Sequence, residues 1–247
     1  MKAIVLGAGK GKRLMSEQFD LPKVMRQANG RGLITYVLDS IDFIPKKDTV
    51  IVVGYKKEAV ISALSEISPE YKFAEQKEML GTGHAVMAAA DEFEGYDGDV
   101  LITYGDMPLF TKKTFEDIVK VHKENGAACT LMTAVVDNPP AYGRIVRDAD
   151  GNLVDLVETK DCDEEQIKIK ELNVGVYVFN ARLLFDNLKN LKNNNAQGEY
   201  YLTDMPKILM ELGEKVATYT VSDNNEIFGV NTPEDLEFCE SILKSRK

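Results

Sequence analysis

A glycine-rich loop with several basic side chains follows the first apolar run of this 247-residue chain. The run Ala3–Leu6 leads into GAGKGKR at residues 7–13, and a further cation, Lys23, follows Pro22. Glycines after a strand let backbone N–H groups approach a ligand, and neighbouring cations neutralise phosphate oxygens. The segment therefore predicts a site for a phosphate-bearing ligand, with a solvated charged loop as the alternative.

The loop matches neither of two common phosphate-binding loops. A P-loop requires a glycine at the position of Leu6, and serine or threonine where Arg13 follows Gly11-Lys12. The dinucleotide fingerprint GxGxxG is also missing, because the glycines here are spaced GxGxG. We therefore expect a phosphate loop of another kind.

A second candidate for chemistry is the carboxylate of Asp106, which follows the apolar run Val100–Thr103. Open α/β sheets bind ligands at the carboxyl ends of their strands, and a carboxylate is a hard ligand that suits Mg²⁺. A turn or helix cap is the alternative role for Asp106. The sequence places neither of the two histidines, His84 and His122, in an evident nucleophilic triad or dyad.

The apolar pattern predicts one α/β domain over residues 1–247. Short apolar runs alternate with amphipathic segments in the first half, which favours a mostly parallel sheet flanked by helices. The predicted strands are Ala3–Leu6, Val50–Val53, Val100–Thr103, Cys129–Val136, a hairpin of Arg144–Arg147 and Leu153–Val157, Leu172–Phe179 and Val216–Val221. The predicted helices are Leu33–Ile41, Lys57–Leu64, His84–Phe93, Thr114–Lys123, Arg182–Leu191, Met205–Leu212 and a last helix from about Pro233, capped by Thr232.

Composition and charge exclude several classes of protein. The net charge is −10, which argues against a general nucleic-acid binder, and 44% hydrophobic residues favour a packed core. Residues 1–30 carry six basic and two acidic side chains, a local charge of +4 that favours an anionic ligand. No apolar run is long enough for a membrane span or signal peptide, and three scattered cysteines favour a cytoplasmic protein.

Ordered sequence blocks carry a resemblance to a known family. They resemble the sugar-phosphate nucleotidyltransferases, and among these the uridyltransferase domains of bacterial N-acetylglucosamine-1-phosphate uridyltransferases. The resemblance implies a Rossmann-like, mixed but mostly parallel sheet of the nucleotide-diphospho-sugar transferase type. The blocks are LGAGKGKR (6–13), LPKV (21–24), Gln76, LGTGHA (80–85), YGDMPL (104–109), YGRI (142–145), VE (157–158), KD (160–161), ELNVG (171–175), NNNAQGEYYLTD (193–204) and GVN (229–231).

The resemblance also implies roles for individual residues. Residues 1–110 would bind the nucleotide, with Arg13 and Lys23 as catalytic cations at its phosphates, and residues 111–235 would bind the sugar phosphate. Asp106 and Asn231 would bind Mg²⁺. The nucleotide-binding residues would be Leu6, Gly7, Ala8, Gly9, Lys23, Gln76, Gly81 and Thr82, and the sugar-phosphate-binding residues Tyr104, Gly143, Glu158, Asn173 and Thr203.

Plain structural roles remain open for these residues. Gly81 and Gly83 could simply turn the chain, with Thr82 capping the next helix. Arg13 and Lys23 could be surface cations, and the sugar-phosphate set could be strand-end and loop residues. The stretch between Arg13 and Lys23 is also longer than the usual spacer of the family.

The activity implied is the formation of UDP-N-acetylglucosamine and pyrophosphate from UTP and N-acetylglucosamine-1-phosphate. The alternatives that stay open are another sugar-1-phosphate or an alcohol phosphate, with UTP, dTTP or CTP as the nucleotide, and a non-catalytic sugar-nucleotide sensor. The sequence contains no hexapeptide repeat, so acetyl transfer by a β-helix domain is not expected. The sequence leaves the oligomeric state open.

Overall fold

The computed structural model describes residues 1–14 and 16–246. Its strands are β1 (Lys2–Leu6), β2 (Gln27–Ala28), β3 (Arg31–Gly32), β4 (Thr49–Val53), β5 (Lys72–Glu75), β6 (Asp99–Tyr104), β7 (Cys129–Val135), β8 (Gly143–Arg147), β9 (Leu153–Val157), β10 (Glu171–Asn180) and β11 (Val216–Thr220). Its helices are α1 (Leu33–Ser40), α2 (Lys57–Ile67), α3 (Thr82–Met87), α4 (Lys112–Asn125), α5 (Ala181–Asn187), α6 (Met205–Glu211) and α7 (Pro233–Ser245). Across these residues, we find no helix that is both long and apolar enough to cross a membrane.

A mixed sheet forms the centre of the molecule and confirms the predicted α/β fold. Within the described residues it has nine strands, in the order β11-β7-β10-β6-β1-β4-β5, with the β8–β9 hairpin attached to β10. Strand β10 runs antiparallel to β6 and β7, whereas β1 is parallel to both β4 and β6. The carboxyl ends of β1, β4 and β6 therefore meet at one edge, where parallel sheets bind ligands.

Alternating side chains of β1 are buried on both faces of this sheet. Ala3 and Val5 pack into one apolar cluster, and Ile4 and Leu6 pack into another on the opposite face. Burying a side chain of the size of valine, leucine or isoleucine stabilises a protein by about 1.5–3 kcal/mol. This two-sided burial explains why β1 is a continuous apolar run. The buried strand also fixes the position at which the glycine-rich loop begins.

Several boundaries differ from the predictions. The helix predicted over His84–Phe93 is the shorter α3 followed by a tighter turn at Ala90–Phe93, which places the Phe93 ring 4.8 Å from that of Phe185. The helix predicted over Arg182–Leu191 similarly ends at Asn187. The sequence did not predict β5, since a four-residue edge strand with two exposed positions leaves little apolar signal. The predicted Thr232 cap is confirmed, as Thr232 and Asp235 form a reciprocal capping box.

Candidate active site

Two adjoining cavities open at the carboxyl ends of β1 and β6. The first, which we call the glycine-loop cavity, has a volume of about 250 Å³. It is lined by every residue that the sequence assigned to the nucleotide: Leu6, Gly7, Ala8, Gly9, Lys23, Gln76, Gly81 and Thr82. Residues that lie far apart in the chain thus line one cavity.

Backbone hydrogen bonds hold the glycine loop against its neighbouring strands. The Gly7 N–H donates to the Val52 carbonyl (2.8 Å), and the Tyr55 N–H donates to the Ala8 carbonyl (3.1 Å). A Cβ on Gly7 would lie 3.3 Å from the Val52 oxygen, whereas a Cβ on Gly9 would meet no atom within 4 Å. Gly7 therefore allows a close approach to β4, and Gly9 leaves room for a ligand.

The far wall of this cavity joins two distant segments. Gln76 is buried, and its amide nitrogen donates to the Gly81 carbonyl (3.0 Å). Gly81 has a φ of +106°, and a Cβ there would lie 2.6 Å from the Tyr200 carbonyl oxygen, so this position requires glycine. The Thr82 hydroxyl accepts from the Leu202 N–H (3.0 Å), so the alternative role of Thr82 as a helix cap is wrong.

The second cavity, which we call the hairpin cavity, lies beside the β8–β9 hairpin and has a volume of about 180 Å³. Four of the five residues assigned to the sugar phosphate line it: Tyr104, Gly143, Glu158 and Asn173. The fifth, Thr203, lies behind this wall and donates its hydroxyl to Glu158.

Buried and partly buried polar groups characterise the hairpin cavity. Burial raises the pKa of Glu158, against the opposing effect of the Thr203 hydrogen bond, and Asp161 and Glu199 raise it further. The Asn173 amide nitrogen donates to the Tyr177 hydroxyl (2.7 Å), at an irregular part of β10. Burial also raises the pKa of Tyr104 well above its usual range, so its hydroxyl stays protonated.

Asp106 and Tyr104 line both cavities, so the two spaces share a wall. Lys23 Nζ donates to Asp106 and to Asn231 Oδ1 (2.9 Å), and Arg13 Nη2 donates to the same Asn231 oxygen (3.0 Å). Arg13 is exposed and contributes to the lining of neither cavity. Carboxylate and amide oxygens therefore converge on one cation at the boundary.

This convergence fits a divalent metal. No group of three or more His, Cys, Asp or Glu side chains within residues 1–14 and 16–246 is arranged to hold one, so Asp106 and Asn231 would be a sparse protein shell. Mg²⁺ accepts such a shell because it usually keeps waters and substrate phosphates as further ligands. The Lys23 ammonium uses the same oxygens, so it competes with a metal for them.

Several lining residues were not assigned from the sequence. Met79 and Glu199 line the glycine-loop cavity, and Tyr142 lines the hairpin cavity. Glu199 and Tyr142 belong to the sequence blocks GEYYLTD and YGRI, which was the available signal. Met79 belongs to none of the sequence blocks, so the sequence carried no signal for it. Met15, within the long spacer before Lys23, lies outside the described residues.

Comparison with known proteins identifies relatives along the whole chain. A family model described as nucleotidyl transferase matches residues 2–227. The chain is 42% identical over 244 residues to the bifunctional protein GlmU of Streptococcus thermophilus (strain CNRZ 1066), covering 99% of this chain and 52% of that protein. It is also 42% identical over 246 residues to the bifunctional protein GlmU of Acetivibrio thermocellus, covering 100% and 52%. The chain thus spans about half the length of these curated relatives.

Solved structures share the fold at low sequence identity. A crystal structure of a UDP-glucose pyrophosphorylase complexed with UDP-glucose has a TM-score of 0.77 at 16% identity, covering 100% of this chain and 99% of that one. A Bacillus anthracis glucose-1-phosphate thymidylyltransferase, described as putative and in complex with a sucrose, has a TM-score of 0.76 at 19% identity, covering 98% and 94%. Both matches agree with the mixed sheet flanked by helices.

Proposed function

This chain belongs to the nucleotidyl transferase family, and on that premise we propose that it forms UDP-N-acetylglucosamine and pyrophosphate from UTP and N-acetylglucosamine-1-phosphate. The chain is 42% identical to GlmU proteins over nearly its whole length, and this supports these substrates over those of other members of the family. The ordered sequence blocks shared with N-acetylglucosamine-1-phosphate uridyltransferases support the same substrates.

The reaction exchanges one phosphoryl bond for another. A phosphate oxygen of the sugar-1-phosphate bonds to the α-phosphorus of UTP, and the bond from that phosphorus to the β-phosphate bridging oxygen breaks. Pyrophosphate takes the electron pair and leaves. The acceptor is already an anion, so no side-chain nucleophile is needed, and catalysis consists of positioning and charge neutralisation.

In this proposal the glycine-loop cavity holds UTP. The Gln76 amide oxygen and the backbone at Gly81 and Thr82 face the uracil edge, which presents both donors and acceptors, while the Gln76 amide nitrogen is held by the Gly81 carbonyl. Gly7, Ala8 and Gly9 lie against the nucleotide. Lys23 and Arg13 bind its phosphates and reduce the repulsion that the incoming anion meets.

The hairpin cavity holds the sugar phosphate. Glu158 and Asn173 bind hydroxyl and amide groups of the sugar, Thr203 orients Glu158, and Gly143 permits close approach of the backbone. Tyr104 forms the wall between the sugar and the nucleotide. Asp106 and Asn231 would hold Mg²⁺, which supplies electrostatic stabilisation to the triphosphate.

The observation that carries this proposal is the wall shared by the two cavities. Asp106 and Tyr104 belong to both linings, so ligands that fill both spaces meet beside Lys23. Holding two reactants in contact and in line supplies much of the rate enhancement in reactions of this type.

Pyrophosphate release from purified protein with Mg²⁺ tests the proposal. UTP, dTTP and CTP are each combined with N-acetylglucosamine-1-phosphate, glucose-1-phosphate and an alcohol phosphate, with EDTA as the control. We expect the highest kcat/KM with UTP and N-acetylglucosamine-1-phosphate. A different preferred pair would replace the substrate assignment, and no turnover by folded protein would favour a non-catalytic sensor.

A further inference from the structure

The hydroxyl of Tyr142 joins the hairpin cavity to the segment that carries Asn231. It donates to the Ile227 carbonyl (2.9 Å) and accepts from the Gly229 N–H (3.1 Å). One phenol therefore holds two backbone groups on either side of residue 228. Tyr142, Gly229 and Asn231 line the same cavity.

Tyr142 is itself fixed from the hairpin side. Its carbonyl accepts from the Thr159 hydroxyl (2.6 Å) and from the buried Arg144 guanidinium. Burial raises the pKa of Tyr142 to about 12, so the hydroxyl keeps the proton that it donates. Hydrogen bonds therefore hold Tyr142 at both its hydroxyl and its backbone carbonyl.

The segment 226–232 is anchored at both ends as well. Before the Tyr142 contact, the buried Glu226 accepts from the Thr111 N–H (3.0 Å) and the Thr114 hydroxyl (2.6 Å). After it, Asp235 accepts from the N–H groups of Asn231 (2.8 Å) and Thr232 (2.9 Å). The Tyr142 hydroxyl supports the span between these two anchors.

The orientation of the Asn231 amide depends on that span. Its nitrogen donates to the Gly229 carbonyl (3.1 Å), which leaves Oδ1 directed at Lys23 and Arg13. The Val230 N–H donates to the Asp106 carbonyl (2.9 Å), so the same short segment sets the spacing between the two oxygen ligands. A shift at Gly229 would move the amide oxygen away from the point of convergence.

We propose that Tyr142 is a positioning residue that aims the amide oxygen of Asn231 at the divalent cation, acting from the sugar-phosphate side of the site through its hydrogen bonds to Ile227 and Gly229. The inference rests on the proposed function, because it assigns the cation to Asp106 and Asn231. Substituting a residue that orients metal ligands typically changes the metal affinity, although the ligands themselves are still present.

Tyr142→Phe tests this proposal, since it removes the hydroxyl and keeps the ring. Mn²⁺ binding is followed by electron paramagnetic resonance, with protein alone and with UTP present. We expect Mn²⁺ affinity to fall about tenfold, as for other residues that orient metal ligands. UTP binding without a divalent cation should stay within about twofold, and the Mg²⁺ concentration for half-maximal rate should rise more than the KM for UTP.

Tyr96→Phe is the matched control. Tyr96 also donates its hydroxyl to a backbone carbonyl, that of Asp99 (3.3 Å), and lines neither cavity of the site. The variant should bind Mn²⁺ as the unmodified protein does. Thermal unfolding of both variants measures any general loss of stability.

A double-mutant cycle with Asn231→Ala separates positioning from general packing. If Tyr142 acts through Asn231, Tyr142→Phe should have no further effect on Mn²⁺ affinity in the Asn231→Ala background. An equal loss in both backgrounds, or unchanged Mn²⁺ affinity in Tyr142→Phe, would overturn the inference. Failure of the unmodified protein to bind Mn²⁺, either alone or with UTP, would also overturn the inference. If the Mn²⁺ effects are as expected but the protein shows no turnover, only the proposed function is overturned.

Discussion

The glycine-loop cavity and the hairpin cavity are built in different ways. In the first, backbone atoms of consecutive residues 6–9 form one wall, and their hydrogen bonds to Val52 and from Tyr55 fix its shape. The second cavity is lined by single side chains from separate segments of the chain, among them Glu158, Asn173 and Asn231. One wall of the first cavity is therefore encoded locally, whereas its far wall and the whole of the second cavity depend on the tertiary fold.

The two regions also differ in their charges. Two cations, Lys23 and Arg13, reach the boundary from the glycine-loop side. On the hairpin side, burial raises the pKa values of Glu158 and Asp204, which means that charged carboxylates there cost stability. This contrast supports the proposal that the first region binds the phosphates of UTP and the second the hydroxyl and amide groups of the sugar.

Asp106→Asn should have the largest effect, because Asp106 belongs to both regions. Replacing the carboxylate by an amide keeps an oxygen for Lys23 but removes the charge that a metal requires. We expect kcat to fall about 100- to 1,000-fold, the usual range for losing one preorganised electrostatic contact. Steady-state kinetics and circular dichroism measure the rate and the fold.

The exposed Asp97 provides a matched control, since Asp97→Asn makes the same chemical change outside both cavities. Undiminished activity in Asp106→Asn would remove Asp106 from the site and end the idea of a shared catalytic wall.

Lys23→Ala should have the next largest effect and should act on the nucleotide side. Hydrogen bonds to charged groups contribute about 2 kcal/mol, so kcat/KM for UTP should fall about 30-fold. The KM for the sugar phosphate should change less. Equal losses for both substrates would contradict the division of charge between the cavities, and Lys47→Ala, at an exposed lysine, is the control.

The sequence predicts the two regions unequally well. The glycine loop and the strands β1, β4 and β6 follow from apolar runs that end in glycine, because burial on both faces leaves a continuous local pattern. The pairing of residues 80–83 with Tyr200 and Leu202 could not be read from spacing, since it depends on how the chain folds back. The Tyr142 contacts with Ile227 and Gly229 depend on tertiary structure in the same way.

Glu158→Gln should produce a smaller effect, confined to the hairpin side. A neutral acceptor binds a hydroxyl about 1.4 kcal/mol less strongly than a charged one, so the KM for the sugar phosphate should rise about tenfold. The KM for UTP should stay constant. Thermal stability at about pH 7.5 should increase, because glutamine removes a partly buried charge while it can still accept from Thr203.

A fall in stability of Glu158→Gln, or a rise in the KM for UTP, would contradict the contrast between the two regions. Glu164→Gln makes the same change at an exposed position of the following loop and should leave both constants unaltered.

Asp204→Asn should give the smallest effect and tests the cost of charge behind the hairpin cavity. Burial, and then Glu158 and Asp155, raise the pKa of Asp204 to about 6 in the folded protein, against about 3.9 when unfolded. Between these values the folded state holds a proton that the unfolded state has lost, so stability falls as pH rises from about 4 to 6 and then levels off. The amide of the Asp204→Asn variant cannot ionise, so we expect the melting temperature at about pH 7.5 to rise by about 2–4 °C. This rise corresponds to about 1 kcal/mol of stability, after allowing for solvent screening of this partly exposed group. At about pH 4 the two proteins should melt together, and a gain that is equal at both pH values would show that packing rather than the carboxylate charge is responsible.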